Sequence, residues 1–191
     1  MQLKYKALLA AAPALILMDQ VSKSVIREVL SPVRVIVLIP GFLQFQYAEN
    51  SGMSFGLLQN FPEAWRTPFF FSITTIAVLI IAHLFRQAPG GSLRLPLALS
   101  FILSGALGNL TDRLRWGSVV DFIKMQVWPP SRYYWPTFNL ADTFITIGII
   151  MLVLDTLLAR ESTEAPEASE APDAVPAPEE CADAGPDPDA R

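Results

Sequence analysis

Cysteine and histidine are almost absent from this chain of 191 residues, which contains one of each. Cys181 has no second cysteine to pair with, which excludes an internal disulfide and a cysteine-based metal cluster. No cation or histidine flanks Cys181 to activate its thiol, and we interpret it as unreactive. His83 lies near one end of an apolar segment and is interpreted as an interfacial residue. We therefore expect no metal and no cofactor.

The basic residues form no run that would indicate a nucleic-acid partner, and the formal net charge is −4. Ten of the eighteen acidic residues lie in the last 31 positions, Glu161 to Arg191, together with six prolines. This composition predicts a disordered acidic tail over 161–191, with a docking role as the alternative. Residues 1–160 carry thirteen Lys and Arg against eight acidic residues, a net charge of +5 that suits a position beside anionic lipid headgroups.

Long apolar segments dominate residues 1–160, and about 20 apolar helical residues are needed to cross a bilayer. We predict membrane helices over 7–27, 67–85, 93–113 and 137–158. The first segment follows Lys4 and Lys6, as in a secretory signal peptide, but it continues through Asp19 without a small-residue cleavage site. This continuation favours an uncleaved first helix.

An even number of spans places both termini on one side, and Lys4 and Lys6 favour the cytoplasmic side for them. A simple count of Lys and Arg, five on that side and eight on the other, does not support this orientation. Between the first two spans, Leu43, Phe45 and Tyr47 alternate with glutamines, which is typical of a half-buried strand. The predicted fold class is an all-α membrane protein with four transmembrane helices and a small membrane-surface β-sheet on the outer side.

Charged side chains at membrane depth are costly, at least ~2.5–3.5 kcal/mol each, so each one needs a partner or a function. Asp19 and Lys23 are four residues apart on one helical face, the spacing of an ion pair. That pair could serve only to hold the first helix in the bundle.

The third span has a stripe of small and polar residues that we expect to face protein, not lipid. It consists of Gly105, Asn109, Asp112 and Arg113. Gly105 would allow close helix approach, whereas Asn109 and Arg113 could donate hydrogen bonds to a carboxylate or to a substrate carbonyl.

Two acidic residues are predicted to lie at the same membrane depth. Asp121 is expected in the loop just beyond the third span, and Asp142 about a turn and a half into the fourth, on the same helical face as Asn139. Two carboxylates in a poorly solvated site share a proton, which provides one base and one acid for attack by a water molecule on a peptide bond. Asp121 and Asp142 are therefore the candidate catalytic pair.

Other chemistries receive less support. A serine nucleophile would have to use Ser22 or Ser24 beside Lys23, which have no separate oxyanion site. A transporter or channel could also use intramembrane acids, and a structural scaffold could use them to fix helix packing. The acids gather near one interface, however, and the second span has no charged residue to continue a path across the bilayer.

Five sequence blocks together resemble the lipoprotein signal peptidase family, also called signal peptidase II, over about residues 5–158. They are Asp19–Lys23, Asn50–Phe55, Gly105–Arg113, Gly117–Phe122 and Phe138–Asp142. Five ordered blocks are more specific than any single motif. Ser104 stands where the family often has a glycine.

The resemblance implies an aspartyl endopeptidase of the bacterial cytoplasmic (inner) membrane, with its active site near the outer (periplasmic) face. It implies that the substrate is a diacylated prolipoprotein, cut just before the lipid-bearing cysteine. Asn50, Asn109, Arg113 and Asn139 would hold the substrate or the aspartate pair. We expect the phospholipid bilayer and the substrate as the only partners of a monomeric enzyme.

Overall fold

The computed structural model describes residues 2–30, 34–52, 62–89, 91, 93–126 and 135–164. Within these residues the chain forms four helices and a three-stranded antiparallel sheet, which confirms the predicted fold class. The elements are α1 (Leu3–Val29), β1 (Val35–Ile39), β2 (Leu43–Asn50), α2 (Glu63–Gln87), α3 (Arg94–Trp116), β3 (Val119–Met125) and α4 (Leu140–Glu164).

The distribution of side chains over the helices suits a lipid environment. All four helices are long and apolar enough to cross a membrane. Leu17, Leu79 and Leu154 point outward and are more than half exposed, whereas the charged Lys23 and Asp112 are fully buried. This reverses the usual arrangement of a water-soluble protein, and the predicted four membrane spans are confirmed.

Helix α3 lies at the centre of the bundle and packs against each of the other three helices. Its contact with α4 depends on glycine at two points. A Cβ atom on Gly105 would collide with the backbone oxygen of Ala141, and one on Gly148 would come within 2.7 Å of the backbone oxygen of Ala98. Small residues thus allow the two helix backbones to approach closely.

The sheet has the strand order β1-β2-β3. Strand β3 was not predicted, and the expectation that Asp121 lies in a loop is wrong, because Asp121 pairs with Ala48 of β2. The transition from α3 into β3 occurs at Gly117, whose positive φ of 75° ends the helix. Such a left-handed residue is typical of a helix C-terminus.

One face of the sheet covers a hydrophobic cluster at the end of the helix bundle. Ile26, Leu30, Val120 and Phe122 form its buried part, and Phe45 and Tyr47 of β2 pack against them. All five residues of β1 are exposed. The cluster therefore fixes β2 and β3, the two strands nearest the helices.

The helix boundaries differ most at α4. It begins at Leu140, not at 137, because Phe138 pairs with Ile123 of β3 in extended conformation. It continues to Glu164, past the predicted end at 158. Pro166 is the first proline after Leu140, and a proline interrupts helical hydrogen bonding. Residues 165–191, including Cys181, lie outside the described part of the chain.

Candidate active site

Asp121 lies on β3 and is 1% exposed. Asn50, on the neighbouring strand, donates from Nδ2 to its Oδ2 at 3.0 Å. Asn139 donates from Nδ2 to its Oδ1 at 2.7 Å. Each carboxylate oxygen therefore accepts one amide hydrogen bond.

Asp142 lies in the first turn of α4, so its predicted position a turn and a half into the helix is wrong. Asn139 and Asp142 cap the helix reciprocally. The Asn139 Oδ1 atom accepts the Asp142 N–H at 3.0 Å, and the Asp142 Oδ2 atom accepts the Asn139 N–H at 3.2 Å. This is a capping box, in which two otherwise unpaired helix N–H groups are satisfied. Asp142 Oδ1 accepts from Asn109 Nδ2 at 2.8 Å.

Asp121 and Asp142 belong to one hydrogen-bond network although they come from different elements. Phe138 pairs with β3 and brings the next residue, Asn139, beside Asp121. Asn139 Nδ2 also donates to Asn109 Oδ1 at 3.2 Å, and Asn109 in turn donates to Asp142. The network therefore connects the two carboxylates through two asparagine side chains.

Burial raises the pKa of Asp121 from its ordinary value of 3.8 to about 6. Hydrogen bonds from Asn50 and Asn139 lower this pKa, because they stabilise the charged form, and the nearby charge of Asp142 raises it. The removal of the carboxylate from solvent is the largest of these effects. Asp121 can therefore change protonation state close to physiological pH.

Arg113 lies on the same helix as Asn109, and its charge interacts with those of Asp121 and Asp142. Its guanidinium carbon is 3.9 Å from the ring centroid of Phe70, and Nη1 donates to the Asn109 backbone oxygen at 3.4 Å. The buried Nε atom has no hydrogen-bond partner among the described residues. Arg113 thus has a donor available near the carboxylate pair.

Asp19 and Lys23 form the ion pair that their spacing predicts, with Lys23 Nζ 2.8 Å from Asp19 Oδ2. Asp112 joins them, with its Oδ2 atom 2.9 Å from the same Nζ. Asp112 was not among the predicted site residues. The signal was present in the sequence, because an acidic residue at membrane depth requires a partner.

A cavity of about 480 Å³ opens beside Asp142. Its lining combines apolar and hydroxyl side chains from α4 and the preceding segment, among them Trp135, Phe138, Ile145 and Thr146. Among the described residues, no group of three or more His, Cys, Asp or Glu side chains is placed to hold a metal ion. The absence of a metal or cofactor requirement stays a prediction.

Two solved structures of bacterial membrane enzymes are similar to this fold. One has a TM-score of 0.72 and 30% sequence identity, over 84% of this chain and 93% of that one. The other has a TM-score of 0.67 and 31% identity, over 78% of this chain and 92% of that one. The four-helix bundle and its sheet therefore have the fold of a bacterial membrane enzyme with several membrane spans.

The sequence model of the family Signal peptidase (SPase) II matches residues 11–158. The lipoprotein signal peptidase of Syntrophotalea carbinolica is 36% identical over 151 residues, which cover 79% of this chain and 91% of that protein. That of Moorella thermoacetica is 40% identical over 140 residues, which cover 73% of this chain and 85% of that protein. The chain belongs to the signal peptidase II family and is a peptidase.

Proposed function

We propose that this peptidase removes the signal peptide from diacylglyceryl-modified prolipoproteins, cutting before the lipid-bearing cysteine, with Asp121 and Asp142 as the catalytic pair. The observation that carries the proposal is the connection of these two carboxylates through Asn139 and Asn109. Similar proteins are named lipoprotein signal peptidases, which supports a prolipoprotein as the substrate.

The chemistry follows from the environment of the pair. A pKa of about 6 for Asp121 allows one carboxylate to be protonated while the other is ionised. The ionised member takes a proton from a water molecule, whose oxygen bonds to the scissile carbonyl carbon. The protonated member gives its proton to the developing oxyanion. As the C–N bond breaks, the other carboxyl passes the proton that it took from water to the departing amine, and the first carboxylate recovers a proton from the collapsing intermediate. The reaction needs no covalent enzyme intermediate.

The surrounding side chains have separate functions in this scheme. Asn50 and Asn139 hold Asp121, and Asn109 holds Asp142. The buried Nε atom of Arg113, which has no hydrogen-bond partner among the described residues, is suited to donate to a carbonyl oxygen of the substrate, because a buried donor without a partner carries a free-energy penalty that binding would remove.

Other predicted residues act on the pair indirectly. Gly105 lets α3 approach the beginning of α4, and Asp19 and Lys23 support the pair from α1.

The site would act at a membrane interface. Asp121 and Asp142 lie at the end of the bundle that carries the sheet, opposite the end where the chain begins. We place this end at the outer face of the inner membrane and the termini in the cytoplasm, which matches a substrate anchored in the bilayer by its signal helix and lipid. The cavity beside Asp142 has aromatic and aliphatic walls that suit such an apolar segment. We propose that the enzyme acts as a monomer.

The test is cleavage of a diacylated precursor by Asp121→Asn and Asp142→Asn variants, measured as a gel shift. Both variants should insert and remain folded, and neither should release the signal peptide, because an amide can replace neither the base nor the acid of the pair. Asp155→Asn is the matched control, since the same substitution lies on α4 about 20 Å along the helix from Asp142. Normal cleavage by either folded variant would contradict the catalytic assignment.

A further inference from the structure

Lys23 is a fully buried cation between two fully buried carboxylates. Its Nζ atom lies 2.8 Å from Asp19 Oδ2 and 2.9 Å from Asp112 Oδ2, and it donates to Asn109 Oδ1 at 2.9 Å. These three contacts use all three ammonium protons. A buried ion pair adds little net stability, because removing the charges from water offsets their attraction. Attachment of α1 to α3 therefore does not fully explain why Lys23, Asp19 and Asp112 are buried together. The other contacts of Asp19 and Asp112 indicate a further role.

Each carboxylate also accepts a backbone hydrogen bond from the residue immediately before a catalytic aspartate. Asp112 Oδ2 accepts the N–H of Val120 at 3.3 Å, and Val120 precedes Asp121. Asp19 Oδ1 accepts the N–H of Ala141 at 2.9 Å, and Ala141 precedes Asp142. One cation thus holds two acidic side chains, and each of them holds the backbone beside one member of the pair.

The third contact of Lys23 fixes the orientation of an amide. Asn109 Oδ1 accepts hydrogen bonds from both Lys23 and Asn139, and the Nδ2 atom of Asn109 faces Asp142 as a donor. If the amide rotated by half a turn, the Lys23 ammonium group would face an NH₂ group and Asp142 would face a carbonyl oxygen. Both of these contacts are unfavourable.

We propose that Lys23, Asp19 and Asp112, which we name the Lys23 cluster, are positioning residues that set the relative placement of Asp121 and Asp142. The proposal rests on the proposed function, since it assumes that these two aspartates do the chemistry. The cluster touches neither the substrate nor the reacting atoms. It acts through the backbone of β3, through the first turn of α4 and through Asn109.

The alternative is that the Lys23 cluster only holds α1 in the bundle. The chain offers a matched control for that role in Lys4, a second buried lysine of α1. Lys4 donates to the backbone oxygens of Phe85, Arg86 and Ala88 at the end of α2, at 2.8 to 3.3 Å. Lys4 lies at the opposite end of α1 from the aspartate pair, so its loss should weaken helix attachment without altering the site.

The experiment compares Lys23→Met, Asp112→Asn and Lys4→Met in detergent micelles, with thermal stability measured first and cleavage of a diacylated precursor second. Asp112→Asn retains the Asp19–Lys23 ion pair and continues the test if Lys23→Met does not fold. For the folded protein, we expect kcat of the cluster variants to fall about 10- to 100-fold with little change in KM, because small displacements of reacting groups have effects of that size.

The pH profile provides a readout that a purely structural role would not move. The inflection of kcat against pH should shift in Asp112→Asn, because the surroundings of Asp121 change, and should stay in place in Lys4→Met. Lys23→Arg should recover part of the lost kcat by restoring the charge. If the cluster variants and Lys4→Met lose stability alike and all keep the kcat and pH profile of the wild type, the positioning role is wrong. That outcome is distinct from failure of the proposed function, in which Asp121→Asn or Asp142→Asn would still cleave.

Discussion

Asn139 and Asp142 cap each other at the start of α4, with hydrogen bonds of 3.0 and 3.2 Å in opposite directions. Because the Asn139 amide also donates to Asp121, one residue begins the helix and contacts both carboxylates, that of Asp121 through its side chain and that of Asp142 through its backbone N–H. The folding of this helix end and the geometry of the aspartate pair are therefore coupled. A substitution that keeps the cap but loses the amide can separate them.

Asn139→Ser should leave the protein folded but reduce cleavage by about tenfold or more. A serine oxygen caps a helix about as well as asparagine, but its shorter side chain cannot also donate to Asp121. Asn139→Ala should lose the cap as well, with a further loss of ~1 kcal/mol in stability. Thermal unfolding in detergent and precursor cleavage would be measured for both. Wild-type activity in Asn139→Ser would show that the amide contact to Asp121 is dispensable.

Asn50→Ala should move the pH dependence of cleavage upward. The Asn50 amide lowers the pKa of Asp121 by stabilising its charged form, so its removal raises that pKa above about 6. The inflection in kcat against pH should move to higher pH by the same amount. Gln46→Ala, on the same strand but hydrogen-bonded to Lys124, is the control and should leave the inflection unchanged. A shift to lower pH in Asn50→Ala would contradict the assigned contact.

The stability of the folded protein should fall as the pH rises from about 4 to about 6. The pKa of Asp121 is 3.8 in its ordinary state and about 6 in the folded protein, so the folded state holds its proton more tightly. The stabilisation is complete below the lower value and lost once the pH passes the higher one, by ~3 kcal/mol at most. Asp121→Asn should remove this component from thermal midpoints measured across the range. If the thermal midpoints of the wild type and Asp121→Asn depend on pH in the same way, this prediction is wrong.

Gly105→Ala should destabilise the bundle by ~1–3 kcal/mol, because the added Cβ meets the Ala141 backbone oxygen and the Ile145 side chain. The backbone oxygen cannot move aside without shifting α4. Gly91→Ala is the matched control, since nothing lies within 4 Å of a Cβ at that position. Urea or thermal unfolding of both variants would measure the difference in stability. Equal stability of the two would mean that α3 and α4 can separate freely.

The membrane spans and the unusual position of Asp142 could be predicted from the sequence, because the bilayer restricts both. Its thickness fixes the length of an apolar helix, and an acidic residue such as Asp142 is unusual inside one. Strand β3 was less accessible. It pairs with β2, so that Asn50 contacts Asp121, 71 residues further along the sequence. The residues of a strand do not by themselves indicate such a distant partner.

The contacts of the Lys23 cluster were hidden for a similar reason. The spacing of Asp19 and Lys23 indicates their ion pair, but the role of Asp112 depends on how α1 and α3 are rotated against each other. The backbone N–H groups of Val120 and Ala141 have no sequence signature at all. Only the packed structure shows that these N–H groups donate to Asp112 and Asp19.

The hydrogen bond between Asp19 and Ala141 joins positions 122 residues apart, almost the full span of the bundle. During synthesis on the ribosome, α1 therefore enters the membrane long before its buried carboxylate can meet this partner. Lys23 likewise waits for Asn109, 86 residues later. The contact of Asp19 with Ala141 forms only when α4, the last helix, packs against α1, so the aspartate pair takes shape at the end of assembly in the bilayer.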